Sequence, residues 1–131
     1  MTDASYLIDS DVVADALKGK LEAVRLLTTL EPDGLAISLI TYGEIYEGIL
    51  YSKDPTASER VFGLFLRRVT VLTLTRPIIR RFAQLRGELR VAGTLIGDFD
   101  LLIASTAIQH QLTLLTNNTK HFQRVPGLAL Q

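Results

Sequence analysis

Short apolar runs alternate with longer amphipathic stretches along the whole chain. Five runs read as strands: Ser5–Asp9 (S-Y-L-I-D), Leu35–Ile40 (L-A-I-S-L-I), Val69–Leu74 (V-T-V-L-T-L), Leu112–Thr116 and a short fifth within Gly127–Leu130. Helical patterns fill the intervals. Asp11–Lys18 and Lys20–Leu30 are parted by Gly19 and stopped by the turn signal Glu31-Pro32-Asp33-Gly34. Thr41–Tyr51 and Pro55–Arg68 follow, then Pro77–Val91, whose Ile78, Phe82, Leu85 and Leu89 share one stripe. A break at Ala92-Gly93-Thr94 precedes the apolar helix Asp98–Gln111. Strands alternating with helices predict βαβ units and a parallel sheet. Right-handed crossovers then set helices on both faces. The expectation is an α/β fold: a three-layer α/β/α arrangement around a mostly parallel sheet of four to five strands. With 131 residues and no linker, repeat or low-complexity stretch, residues 1–131 should form a single domain.

Composition narrows the chemistry. Hydrophobic residues make up 47% of the chain, as a sheet covered on both faces requires. The absence of cysteine excludes disulfide scaffolds, thiolate nucleophiles and zinc–sulfur sites. The acidic start M-T-D-A-S-Y-L-I-D does not read as a signal peptide, and no apolar run approaches the ~18 residues of a membrane span, so a cytoplasmic location is expected. Net charge is zero, but its distribution is not even. Residues 1–59 hold 4 basic and 11 acidic side chains, residues 60–97 hold 8 basic and one acidic, and the remainder balances. That pattern allows an acidic pocket beside a basic surface.

In an open parallel sheet, ligands bind beyond the carboxyl ends of the strands, near the point where strand order reverses. Oxygen donors stand at those positions. Asp9, Ser10 and Asp11 follow the first strand, and Thr41 and Glu44 follow the second. Asp98 and Asp100 open the helix before the fourth strand, and Thr116, Asn117 and Asn118 follow it. Such a set suits a hard cation, Mg²⁺ or Mn²⁺. Each junction also has a plain structural reading: Thr41-x-x-Glu44 is a capping box, and Ser10, Asp11 or Asp98 could cap a helix. Asp9 is the hardest to explain as structure, because burying an unpaired carboxylate at the end of an apolar strand is costly. The spacing of Asp98-Phe99-Asp100 assigns Asp98 to the cap and Asp100 to the ligand set. Asp15 and Glu47 read as solvated helix charges. His110 reads as a helix-end residue, and His121 as packing near Phe122. No nucleophile elbow, phosphate-binding loop or dinucleotide fingerprint is present.

Taken together, Y-L-I-D-S-D, I-T-Y-G-E-I, G-D-F-D-L-L-I-A-S and L-L-T-N-N-T-K-H-F with R-V-P-G-L resemble the PIN-domain ribonucleases, and within them the VapC-type toxins of bacterial toxin–antitoxin pairs. The resemblance implies a PIN-like fold and a catalytic, metal-binding set of Asp9, Glu44 and Asp100, with Asn118 at a position that is often a fourth acid. It implies cleavage of RNA with Mg²⁺ or Mn²⁺, a homodimer, and inhibition by a cognate VapB-type antitoxin. Asp11, where Asn or Ser is frequent, becomes an auxiliary ligand. Thr41, Asp98 and Thr116 are auxiliary residues, Thr116 and Asn118 orienting water or a ligand. Arg86 and Arg90, one turn apart on one flank of Pro77–Val91, are expected to grip RNA phosphates. Two rival readings carry less. A receiver-type Mg²⁺-binding signalling domain needs an acid after the third strand and a lysine after the last, whereas Leu74-Thr75-Arg76 and the tail supply neither. A catalytically silent PIN-like binding module leaves the three acids without a purpose.

Overall fold

The computed structural model describes residues 2–131. β1 (Tyr6–Ile8) leads into α1 (Ser10–Leu17) and α2 (Leu21–Leu30), and a 3-10 turn over Glu31–Asp33 delivers β2 (Leu35–Ser38). Then come α3 (Leu39–Leu50), α4 (Pro55–Leu66), β3 (Thr70–Leu72), α5 (Arg76–Ala92), α6 (Asp98–His110), β4 (Thr113–Leu115), α7 (Thr119–Phe122) and β5 (Ala129–Leu130). The five strands form one sheet in the order β3-β2-β1-β4-β5, and all its pairings are parallel. The expected sheet is therefore fully rather than mostly parallel.

Side chains of a strand alternate between faces, and the two faces here feed two separate cores. Leu7, Ala36, Leu72 and Leu114 pack with α5, α6 and the α7 segment, burying Leu85, Leu89, Leu101, Ala104 and Phe122. Their neighbours Ile8, Leu35, Ile37 and Leu115 point the other way, onto Val13, Leu27, Ile45, Ile49, Phe62 and Phe65 of α1 to α4. This double cover explains a sheet whose inner strands are nearly continuous apolar runs.

Local chemistry fixes the element boundaries that matter for the site. The Asp9 carboxylate accepts from the Ser10 N–H and caps α1, so the helix starts at Ser10, one residue before the expected Asp11. Ser38 ends β2, and its Oγ accepts from the Ile40 N–H at 3.0 Å. The chain turns helical at Leu39, two residues before the expected Thr41, and Thr41 lies buried inside the first turn of α3. Thr41 and Glu44 are therefore not a capping box. At the other end of the sheet, Gly34 (φ +91°) passes so close to β1 that an added Cβ would stand 2.7 Å from the Ala4 Cα. Its carbonyl accepts from the Ser5 and Tyr6 N–H groups.

Candidate active site

The strand order places β1 and β4 side by side at the centre, with β2 and β3 beyond one and β5 beyond the other. Connections leave this pair in opposite directions, and it is past the carboxyl ends at such a switch point that open parallel sheets bind ligands. Asp9 stands there. Its N–H continues the ladder to the Leu115 carbonyl at 2.8 Å, so the β1–β4 pairing itself positions the side chain. The residue is only 6% exposed. Oδ1 accepts from the Ser10 N–H at 2.8 Å and Oδ2 from the Thr116 Oγ–H at 2.7 Å. Burial, with the charges of Asp11 and Asp100 nearby, pushes its carboxyl up to about 7 despite these hydrogen bonds. Burial also raises Asp11, whose Oδ2 accepts from the Asn117 N–H at 3.1 Å while Oδ1 is buried without a partner.

Ser10 joins the second acid to the first. Its hydroxyl donates to Glu44 Oε1 at 2.7 Å and lies 3.0 Å from Thr41 Oγ1, tying the start of α1 to the start of α3. The third acid, Asp100, projects from the first turn of α6, and its Oδ2 lies 3.1 Å from His121 Nε2 on α7. Thr116 Oγ1, besides donating to Asp9, accepts from the Asn118 N–H at 3.0 Å. Asp9, Asp11, Asp100 and Thr116 thus stand at one edge of the sheet, with Thr41 and Glu44 joined to them through Ser10. Asn118 reaches the cluster through its backbone N–H.

Two expectations change. Asp98 is not the cap of α6: Gly97 occupies that position without a side-chain bond, and Asp98 becomes the first helical residue. Its carboxylate turns away to Arg86 of α5, at 2.9 Å. Arg86 is accordingly engaged within the protein, whereas Arg90 stays exposed. Asp15 is not a free solvated charge either, since it pairs with Lys20 at 3.2 Å and accepts from Asn117 Nδ2 at 3.0 Å. Two residues make contacts that the sequence did not reveal. Ser10, already among the oxygen donors after the first strand, bonds Glu44 rather than only capping a helix. His121 meets Phe122 edge-on, as expected, but also meets Asp100, whose partner lies 21 residues away.

The residues fit a hard divalent cation. The donors are all oxygen, one buried carboxylate oxygen has no partner, and burial, reinforced by the Asp11 and Asp100 charges, disfavours the ionised form of Asp9. Among the described residues no three His, Cys, Asp or Glu side chains stand close enough together to hold a metal ion as they are.

Comparison with known proteins places this geometry. The PIN domain family matches residues 3–128. The chain is 32% identical over 128 residues to the ribonuclease VapC2 of Rickettsia felis, covering 96% of both chains. It is 32% identical over 123 residues to the tRNA(fMet)-specific endonuclease VapC of Shigella flexneri, covering 94% of this chain and 93% of that protein. Among solved structures, it superimposes on VapBC2 from Rickettsia felis bound to a promoter DNA fragment with TM-score 0.91 and 33% identity, over 96% of both chains.

Proposed function

The chain belongs to the PIN-domain family, and from that premise we propose that it is an endoribonuclease toxin of the VapC kind, a hydrolase of RNA phosphodiester bonds acting as one catalytic domain and held in check by a VapB-type antitoxin. The observation that carries the reading is the buried carboxylate Asp9, crowded by Asp11 and Asp100 at the switch point of the sheet. Asp9, Glu44 and Asp100 would hold a Mg²⁺ or Mn²⁺ ion directly or through water, with Asp11 as an auxiliary ligand. When bound, the ion supplies activation of water and neutralisation of charge at the phosphoryl group.

The chain's own residues do the rest. Thr116 and the Ser10 N–H fix both oxygens of Asp9. Ser10 fixes Glu44 through Oε1. Asn118, anchored by its backbone to Thr116, would orient a water or a substrate oxygen. No histidine is needed as a base. Arg90, with Arg86 beside it, lies on the helix that packs against α6 and offers positive charge for the RNA backbone. The related toxins are seen in complex with their antitoxins. A groove of about 550 Å³ between α1, α3 and α4 has Glu44 at its edge and Leu17, Ile45, Ile49 and Val61 in its lining, which suits a polypeptide better than a phosphate chain. Exposed Leu39, Leu50 and Tyr51 on and after α3 leave apolar area for a second copy, consistent with a homodimer.

The test is cleavage of a mixed RNA substrate by purified protein with Mn²⁺, then with excess chelator. Cutting should appear with the ion and stop with chelator. It should fall at least a hundredfold in Asp9→Asn, Glu44→Gln and Asp100→Asn, the loss expected when a transition-state charge stabiliser is removed (about 10²–10³-fold). Asp98→Asn should retain most activity, because that side chain pairs with Arg86. A wild-type protein that binds Mn²⁺ yet leaves RNA intact would be a silent binding module.

A further inference from the structure

We propose that His121 is a positioning residue for Asp100, and that the segment Thr116–His121 is a bracket setting the two carboxylates Asp9 and Asp100 in register. The inference rests on the reading of Asp100 as a ligand of the catalytic ion.

Asp9 and Asp100 come from different parts of the fold, one at the end of β1 and the other in the first turn of α6. One short stretch after β4 touches both. At its start, Thr116 donates to Asp9 Oδ2 at 2.7 Å. Thr116 Oγ1 accepts from the Asn118 N–H at 3.0 Å, and the Asn118 carbonyl accepts from the Phe122 N–H at 3.3 Å. At its end, His121 Nε2 lies 3.1 Å from Asp100 Oδ2. The bracket is pinned from below, because Phe122 is buried in the core under α6 and the His121 ring stands edge-on to it at 5.4 Å.

The role of the ring nitrogen follows from its tautomer; since a carboxylate only accepts hydrogen bonds, the proposed contact has the proton on Nε2. A single donor on Oδ2 selects one rotamer of Asp100 and leaves Oδ1 for the ion. Without that donor, a carboxylate in the first turn of a helix swings between rotamers. The contact contributes little to stability, because both side chains keep partial access to water: 25% for His121 and 38% for Asp100. Its effect should therefore appear in the ion's affinity and in turnover rather than in folding. Partners that orient ligating groups typically carry about 10- to 100-fold of metal affinity or activity.

The experiment measures Mn²⁺ binding to RNA-free protein by electron paramagnetic resonance titration, alongside RNA-cleavage kinetics and thermal melting. Wild type is compared with His121→Ala, His121→Gln and Asp100→Asn. His121→Ala should weaken Mn²⁺ binding about 10- to 100-fold and lower kcat, with KM for RNA and Tm nearly unchanged. His121→Gln, whose amide still donates, should recover much of both losses. His121→Ala binding Mn²⁺ as tightly as wild type overturns the inference, as does a complete failure of glutamine to restore binding. Asp100→Asn separates the two levels. If it loses Mn²⁺ while His121→Ala does not, Asp100 remains a ligand and only the role of His121 fails. If it binds Mn²⁺ like wild type, the underlying assignment of Asp100 falls instead.

Discussion

Asp9 has given up almost all contact with water and accepts two hydrogen bonds, yet its carboxyl is pushed up to about 7 from an ordinary 3.8. Desolvation is the leading cause, and the neighbouring acids add to it. This shift has a sign in stability. In the unfolded chain the group releases its proton near 3.8, whereas in the folded, ion-free protein it keeps it up to about 7. Between those values the native state binds more protons than the unfolded one, so stability falls as pH rises. Asp11, also raised by burial, acts in the same direction. In chelator, the melting temperature of wild type relative to Asp9→Asn should therefore decline from about pH 5 to pH 8. A difference that stays flat, or rises, would mean that Asp9 titrates as an ordinary carboxylate.

At the scale of elements, the site depends on short junctions that place side chains within a residue of where they must be. Ser38 starts α3 early, and that turns Thr41 inward and Glu44 toward Ser10. Gly34 plays the matching part at the far end of β2, where it accepts two N–H groups from the start of β1 and sets the β1–β2 register at Tyr6 and Leu35. Gly34 and Gly19 both have positive φ, at +91° and +76°, but only Gly34 meets backbone within 4 Å. Alanine at Gly19 should cost about 1 kcal/mol from backbone strain alone. Alanine at Gly34 must also displace the backbone at Ala4, and should cost about 2–4 kcal/mol. Urea denaturation of the two variants measures this. Equal losses would show that β1 can retreat from Gly34 without penalty.

At the scale of the whole molecule, opposite charges are drawn to different places. Asp9 and Asp11 lie near Asp100 at one sheet edge, while Glu31 at the other end pairs with Arg68, and most of the arginines lie on α4, α5 and their flanks. An ion that quenches the repulsion among Asp9, Asp11 and Asp100 binds only the folded state. At a hundredfold excess over Kd it should stabilise the fold by about 2.7 kcal/mol. Mn²⁺ should raise Tm in wild type and not in Asp9→Asn, and an equal rise in both would put the ion elsewhere. RNA binding tests the basic side. On a cleavage-dead Asp9→Asn background, Arg90→Ala should lower the slope of log K against log salt by about 0.7 if Arg90 neutralises one phosphate of a single strand. An unchanged slope would place the RNA on another face. Arg86 carries less of this weight, since Asp98 already offsets its charge.

The alternation of apolar runs with 3.6-period stretches was enough to determine the three-layer α/β/α fold, because burial on both faces of a parallel sheet leaves that imprint on every strand. The positions of Asp9, Glu44 and Asp100 were legible for a related reason: strand ends are where such a sheet exposes its ligand edge. What the sequence could not determine were the contacts between side chains distant along the chain. That Ser10 holds Glu44 34 residues away, that Thr116 holds Asp9 across 107, and that His121 rather than water meets Asp100 are consequences of which strands became neighbours. Likewise, Asp98 reads as a cap from local propensity. Only the packing of α5 against α6 brings Arg86 close enough to draw its carboxylate away, with Gly97 left to open the helix. Local pattern set the elements, and tertiary proximity chose the partners of each charge.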